Sequence, residues 1–96
     1  MQEIKILKDR TEYWEDGKLH RTDGPAREWV NGGKEWYSEG RLHRTDGPAI
    51  EQANGHKEWW VNDKLHRKNG PAVECASGMK LWWINGEFIR SEKCKK

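Results

Sequence analysis

The sequence has few of the features that mark several common classes of small protein. It contains two cysteines, Cys75 and Cys94, and three prolines among 96 residues. Two cysteines, one in a predicted strand and one near the end of the chain, do not indicate a disulfide scaffold. The N-terminal "MQEIKILKDR" has no long apolar run, so neither a signal peptide nor a membrane span is predicted, and a cytoplasmic location is expected.

Neither sign of charge dominates. The chain has 18 Lys and Arg against 16 Asp and Glu, with a formal net charge of +2. No strong field therefore favours nucleic acid or an anionic membrane as a partner. Hydrophobic residues make up 33% and charged residues 35%, so the core must be thin. Seven tryptophans supply burial that the aliphatic residues do not.

One eight-letter stretch is repeated at a fixed interval. "LHRTDGPA" begins at Leu19 and again at Leu42, and "LHRKNGPA" begins at Leu65, so the period is 23 residues. Repeats of this size copy one supersecondary unit, and each copy needs its neighbour to cover its apolar face.

The period divides the whole chain into units of one domain. We place a capping strand at 1–12, repeats at 13–35, 36–58 and 59–81, and a partial repeat with a basic tail at 82–96.

Each copy carries two turn signals, and no segment shows a sustained helical period. We predict an all-β protein, an elongated antiparallel meander of tandem 23-residue hairpins. A two-residue turn in "EDGK" would place Trp14 opposite Leu19. A three-residue loop in "WVNGG" would pair Glu28 with Lys34, whereas a two-residue loop would bring two glutamates together.

The segment between these hairpins is predicted to be a corner. Gly24 permits unusual dihedral angles and Pro25 lacks a backbone donor, so the strand must bend there. Asp23 is expected to start the turn by accepting backbone hydrogen bonds, a role that Asn69 can fill in the third copy. Copying a corner at a constant interval explains most of the repetition without any chemistry.

Side-chain alternation sorts the strands into two faces. The predicted core face carries Trp14, Tyr37, Trp60, Trp83, Leu19, Leu42, Leu65, Phe88, Ile50, Val73 and Leu81. The second face carries Tyr13, Trp36, Trp59, Trp82, His20, His43, His66, Ala26, Ala49 and Ala72.

The second face is the candidate partner-binding surface, since one thin sheet cannot bury both faces. The proposed contacts are Trp36, Trp59, Trp82, His20, His43 and His66. The alternative is that the corners fold these rings inside and that each histidine bonds a nearby carboxylate or carbonyl.

Metal binding and catalysis are not predicted. Histidines one repeat apart would stand about 10 Å from one another across two strands, too far to share a zinc ion. A pair such as His20 and Asp23 would need a nucleophile and a pocket, and three equal copies argue against one active site. No cofactor, metal or enzymatic activity is expected.

A ladder of arginines gives an alternative function. Arg21, Arg44, Arg67 and Arg90 recur beside the rings and could bind an anionic small molecule, a nucleotide or single-stranded nucleic acid. Glu28, Glu51 and Glu74 recur just as regularly, so cross-strand ion pairing is the competing interpretation.

The pattern of an aromatic residue at Trp14, Gly17 three residues later and His20 three after that resembles the MORN repeat. The resemblance covers residues 13 to about 90 and departs at the corner, where the usual "HGxG" is "HRTDGPA". The variant with "KEWW" and "NG" looks like the tandem repeats of short bacterial and tailed-phage proteins.

The resemblance implies an elongated antiparallel β-sheet that serves as a protein-interaction or dimerisation platform. For a phage-encoded protein of this kind it implies a small, non-enzymatic inhibitor of a host protein. Self-association through the edge strands of the open stack is also expected.

Overall fold

A computed structural model describes residues 1–93, and Cys94, Lys95 and Lys96 of the predicted basic tail lie outside the described residues. The described chain is all-β and antiparallel, as predicted, with fourteen strands and no helix. No described segment could therefore cross a bilayer as a long apolar helix. The strands are β1 (Gln2–Ile6), β2 (Arg10–Glu15), β3 (Lys18–Leu19), β4 (Arg27–Trp29), β5 (Lys34–Glu35), β6 (Tyr37–Ser38), β7 (Arg41–Leu42), β8 (Ile50–Glu51), β9 (Lys57–Glu58), β10 (Trp60–Val61), β11 (Lys64–Leu65), β12 (Val73–Glu74), β13 (Lys80–Ile84) and β14 (Glu87–Glu92).

The strands form one long sheet with small hairpins beside it. The sheet has the order β1-β2-β4-β5-β8-β9-β12-β13-β14, with β3 paired to β2. Two further pairs, β6 with β7 and β10 with β11, stand apart from it. The chain therefore alternates between inner hairpins, whose loops are 30–32, 53–55 and 76–78, and outer hairpins, whose turns are 16–17, 39–40, 62–63 and 85–86. The connecting segments 20–26, 43–49 and 66–72 are the three corners.

The turn chemistry sets the register of both rows of hairpins. Both turn residues of the first outer hairpin have positive φ, 49° at Asp16 and 79° at Gly17, which is the geometry of a type I′ turn. The turn pairs Trp14 with Leu19, as predicted. In the first inner loop Gly32 has φ 101°, and Glu28 pairs with Lys34, so the predicted three-residue loop is also confirmed.

The molecule is elongated and has little interior. Its extents are 46 × 27 × 16 Å, and its radius of gyration of 14.2 Å exceeds the about 12.5 Å typical of a compact chain of this length. No large side chain among the described residues is fully buried. The buried apolar residues are Leu19, Ala26, Ala49, Ala72 and Val73.

The two edges of the long sheet are open. Every residue of β1 and of β14 is exposed, including Ile6, which is 80% exposed. Phe88 was predicted to lie in the core, and this is wrong, because it lies on the terminal strand β14 and is 52% exposed. Among residues 1–93 only β13 pairs with β14. Self-association through these edges stays a prediction.

A charged cluster takes the place of an apolar core at the N-terminal end. Glu12 is 5% exposed, and its carboxylate accepts hydrogen bonds from Arg10 Nε at 2.7 Å, Arg27 Nε at 3.0 Å and Trp14 Nε1 at 3.0 Å. Burial raises the pKa of Glu12, but the bonds from Arg10 and Trp14 and the charge of Arg27 together lower it below its ordinary value. Glu12 is therefore held as a carboxylate.

In two repeats an indole N–H donates to the glutamate two positions before it, and this hydrogen bond is missing in the last repeat. Trp60 Nε1 donates to Glu58 Oε1 at 2.7 Å, as Trp14 does to Glu12. The corresponding residue 23 positions after Glu58 is Leu81, and the buried Trp83 Nε1 has no acceptor within residues 1–93. Trp83 instead packs edge-on against Phe88, with 5.4 Å between ring centroids.

Because of this difference, replacing tryptophan with phenylalanine should lower the free energy of unfolding by different amounts at positions 83 and 60. Trp83→Phe should lower the free energy of unfolding by about 1 kcal/mol less than Trp60→Phe, because it removes an unpaired donor rather than a hydrogen-bonded one. Urea denaturation of the two variants measures the difference. Equal losses would mean that the Trp83 indole is hydrogen-bonded in solution.

Candidate functional site

Each repeat holds the guanidinium of its arginine over its own aromatic ring. The distances from the guanidinium carbon to the ring centroid are 3.9 Å for Arg21 on Tyr13, 3.8 Å for Arg44 on Trp36, 3.9 Å for Arg67 on Trp59 and 3.8 Å for Arg90 on Trp82. These are close cation–π contacts. The arginine ladder and the ring row, which the sequence placed beside each other, therefore form one layer.

The second corner shows how the guanidinium is fixed. Arg44 Nε donates to Asp46 Oδ1 at 2.8 Å, and Nη1 donates to the Pro48 carbonyl at 3.0 Å and to Glu51 Oε2 at 3.3 Å. A Cβ at Gly47 would lie 2.9 Å from Arg44 Cζ, so the guanidinium fills the space that a side chain would need. The motif R-x-D-G-P thus builds a clasp in which glycine makes room for arginine.

The aspartate of this clasp has a partner that the sequence did not indicate. Asp46, like Asp23, was expected to accept backbone hydrogen bonds at the turn, and its carboxylate also accepts Arg44 Nε, as Asp23 accepts Arg21 Nε at 2.9 Å. The hydrogen bond and the charge of Arg44 hold the pKa of Asp46 below its ordinary value. The ion pair joins two residues of the same corner that are two positions apart.

The arginines of the three corners form ion pairs with the glutamates expected from the sequence, although the arginines lie in the corner segments rather than on a neighbouring strand. The shortest nitrogen-to-oxygen distances are 3.7 Å from Arg21 to Glu28, 3.3 Å from Arg44 to Glu51 and 3.2 Å from Arg67 to Glu74. Much of the charge of these arginines is therefore balanced within the chain. Arg90, in the partial repeat, pairs with Glu92 instead.

The three predicted contact tryptophans are only partly exposed. Trp36, Trp59 and Trp82 each have one ring face covered by arginine, and each is half-buried. The chain also changes direction at these rings: Trp36 separates β5 from β6, and the register of the last hairpin shifts between Trp82 and Trp83. The rings are structural supports that leave part of their surface to solvent.

The alanines that were placed on the free face are in fact the most buried residues. Ala26, Ala49 and Ala72 have 0% exposure. The Trp36 N–H donates to the Ala49 carbonyl at 2.7 Å, so the alanine lies beside the ring residue at a bend in the chain. The alternation rule assumes a strand that continues straight, and this strand does not.

The histidines join each repeat to the next. The Nδ1 atoms of His20, His43 and His66 accept backbone N–H bonds from Glu39 at 2.9 Å, Asn62 at 3.1 Å and Asn85 at 3.0 Å, respectively. The partner is thus a turn amide of the following outer hairpin, not the carboxylate or carbonyl considered from the sequence. An accepting Nδ1 places the ring proton on Nε2. Nδ1 is therefore already engaged within the chain.

Two similar grooves lie between successive corners. The first groove, of about 570 Å³, has Trp36 and His43 in its lining, and the second, of about 660 Å³, has Trp59 and His66. Thr45 is exposed and lines both. The two grooves contain seven of the residues proposed from the sequence as binding contacts or anion ligands and leave out Trp82, His20 and Arg90; the seven are Trp36, Trp59, His43, His66, Arg21, Arg44 and Arg67.

The site includes features that sequence reasoning missed. The clasp joins Arg44 to Trp36 eight residues away, which alternation along a strand does not reveal. The recurrence of glycine three residues after each corner arginine, at Gly24, Gly47 and Gly70, was the available signal. Among residues 1–93 no three His, Cys, Asp or Glu side chains are placed to hold a metal ion together.

Scans of protein-family models, curated proteins and solved structures found no match to this chain. The function must therefore be inferred from the geometry of its own residues.

Proposed function

We propose that this chain is a non-catalytic protein-interaction module of the MORN-like type, which binds a partner protein through the first and second grooves. The observation that carries the proposal is the repeated lining of the two grooves. Trp36 and Trp59 are each held by the arginine of their own corner, yet part of each ring borders an open groove. Fixed aromatic side chains lose little conformational entropy on binding, and tryptophan is enriched among the residues that dominate interface energy.

The chemistry of the grooves supports binding over catalysis. Arg44 and Asp46 pair with each other, and the histidine Nδ1 atoms accept backbone amides. Because Arg44 lowers the pKa of the Asp46 carboxylate, that carboxylate is a weak general base. An inhibitor of a host protein needs only a fitted surface, which this layer of rings and corners provides.

The proposal is tested by blocking the grooves without touching the clasps. Thr45→Trp adds a bulky ring at the wall shared by both grooves, and Thr45 makes no side-chain hydrogen bond to another described residue. The matched control is Ala76→Trp, which adds the same ring to an exposed inner loop. Each protein would be used as bait in a host-cell extract, with quantitative mass spectrometry of the retained proteins.

We expect one partner to be retained by the wild type and by Ala76→Trp, and to be lost with Thr45→Trp at unchanged thermal stability. Retention of the same proteins by all three baits would contradict the groove proposal.

A further inference from the structure

The third corner differs from the other two in charge. Residues 68 and 69 are Lys and Asn, whereas each of the first two corners has Thr followed by Asp at these positions. One positive charge is gained and one negative charge is lost. The rest of the corner sequence is unchanged, so any difference between the third corner and the first two arises from these two residues.

Arg67 nevertheless occupies the same position as the other corner arginines. Its guanidinium carbon lies 3.9 Å from the Trp59 centroid, and Nη1 donates to the Pro71 carbonyl at 3.0 Å and to Glu74 at 3.2 Å. A Cβ at Gly70 would lie 3.0 Å from Arg67 Cζ, almost as in the second corner. The guanidinium is held in place although the aspartate is missing.

One edge of this fixed guanidinium has no partner. Arg21 Nε and Arg44 Nε donate to the aspartates of their own corners at 2.9 and 2.8 Å. Within residues 1–93, Arg67 Nε has no acceptor, and the exposed Lys68 and Asn69 make no side-chain hydrogen bond. A donor that is satisfied by a carboxylate in two repeats is thus open in the third, at the wall of the second groove.

We infer that the third corner binds a carboxylate side chain of the partner protein, with Arg67 Nε and Lys68 as its ligands; this inference rests on the proposed function. The aspartates of the first two corners occupy the equivalent position and show which group fits it. Charge-assisted N–H bonds to a carboxylate are among the stronger polar contacts at an interface. Because Glu74 already lies 3.2 Å from Arg67, a monovalent carboxylate suits the site better than a phosphate dianion.

The inference can be tested without knowing the partner. The probe is a capped aspartate, N-acetyl-aspartate N-methylamide, added to the ¹⁵N-labelled full chain at constant ionic strength. We expect the Nε–Hε resonance of Arg67 to shift saturably, while those of Arg21 and Arg44 stay in place. Inorganic phosphate at the same charge concentration should produce a smaller shift.

The repeats themselves supply matched variants. Lys68→Thr with Asn69→Asp gives the third corner the sequence of the first two, so it should fold normally, fill the site internally and abolish the response of Arg67 to the probe. Asp46→Asn should open the second corner and make the Arg44 resonance respond. The inference is wrong if Arg67 does not shift, if it shifts equally in the double variant, or if phosphate shifts it as much as the probe does.

The same variants separate this inference from the proposed function. With the partner captured by the wild-type chain, the double variant should weaken binding tenfold or more, since it removes Lys68 and fills the site at Arg67 Nε, and each charge-assisted contact accounts for about tenfold. Loss of the partner with Thr45→Trp but full binding by the double variant would overturn only the carboxylate site.

Discussion

Replacing Glu12 with glutamine is expected to lower the free energy of unfolding by about 2 kcal/mol at neutral pH, since two charged hydrogen bonds lose their acceptor charge. Arg10 and Arg27 both point at the carboxylate, and a glutamine would turn its amide group toward one of them. Chemical denaturation followed by tryptophan fluorescence measures the loss. Glu3→Gln, on the exposed strand β1, is the control and should change stability little.

The same residue gives the protein a defined response to acid. Because the folded-state pKa of Glu12 is lowered, the unfolded chain takes up a proton at a higher pH than the folded chain does. Its contribution to stability is therefore complete above the ordinary glutamate value of 4.5 and is lost as pH falls through the lowered pKa. The wild type should lose stability more steeply than Glu12→Gln across that range. Parallel curves for the two proteins would contradict this account.

Gly47→Ala is expected to cost about 2 kcal/mol although the backbone there accepts an alanine. The new Cβ would lie 2.9 Å from Arg44 Cζ, so the guanidinium must leave its place. Its contacts with the Trp36 ring, the Pro48 carbonyl and Glu51 would then be lost together. Thermal and urea denaturation measure the change.

A double-mutant cycle shows whether the cost acts through the arginine. In an Arg44→Ala background the clash no longer exists, so adding Gly47→Ala should cost almost nothing. The two single variants should be about equally destabilised. Additive losses would show that the glycine is required for another reason.

The registers could be predicted because local chemistry decides them. The turn letters allow few loop types, and pairing Glu28 with Lys34 rather than with another glutamate selected among them. The same reasoning failed for Ala49 and Phe88, because face assignment from alternation depends on whether a strand stays straight and whether a neighbour covers it. The strand bends at Trp36, and nothing follows β14 to cover Phe88 among the described residues.

The binding surface was predicted less well than the fold. The sequence indicated that rings, histidines and arginines recur together, but not that Arg44 would lie on Trp36 or that His43 would accept a turn amide from the next repeat. The first contact depends on how the corner folds back onto its own repeat, and the second depends on how successive outer hairpins stack. The histidines therefore connect successive repeats through hydrogen bonds.

The constant period of the repeat also sets the spacing between the two grooves. Successive corners are two strands apart, about 10 Å, so the two grooves open at that pitch along the 46 Å length of the molecule. A ligand that engages both at once must offer its own anchoring groups at the same interval, as alternate strands of another sheet do. Occupying two such positions makes the second attachment intramolecular, so modest single contacts can combine into firm binding.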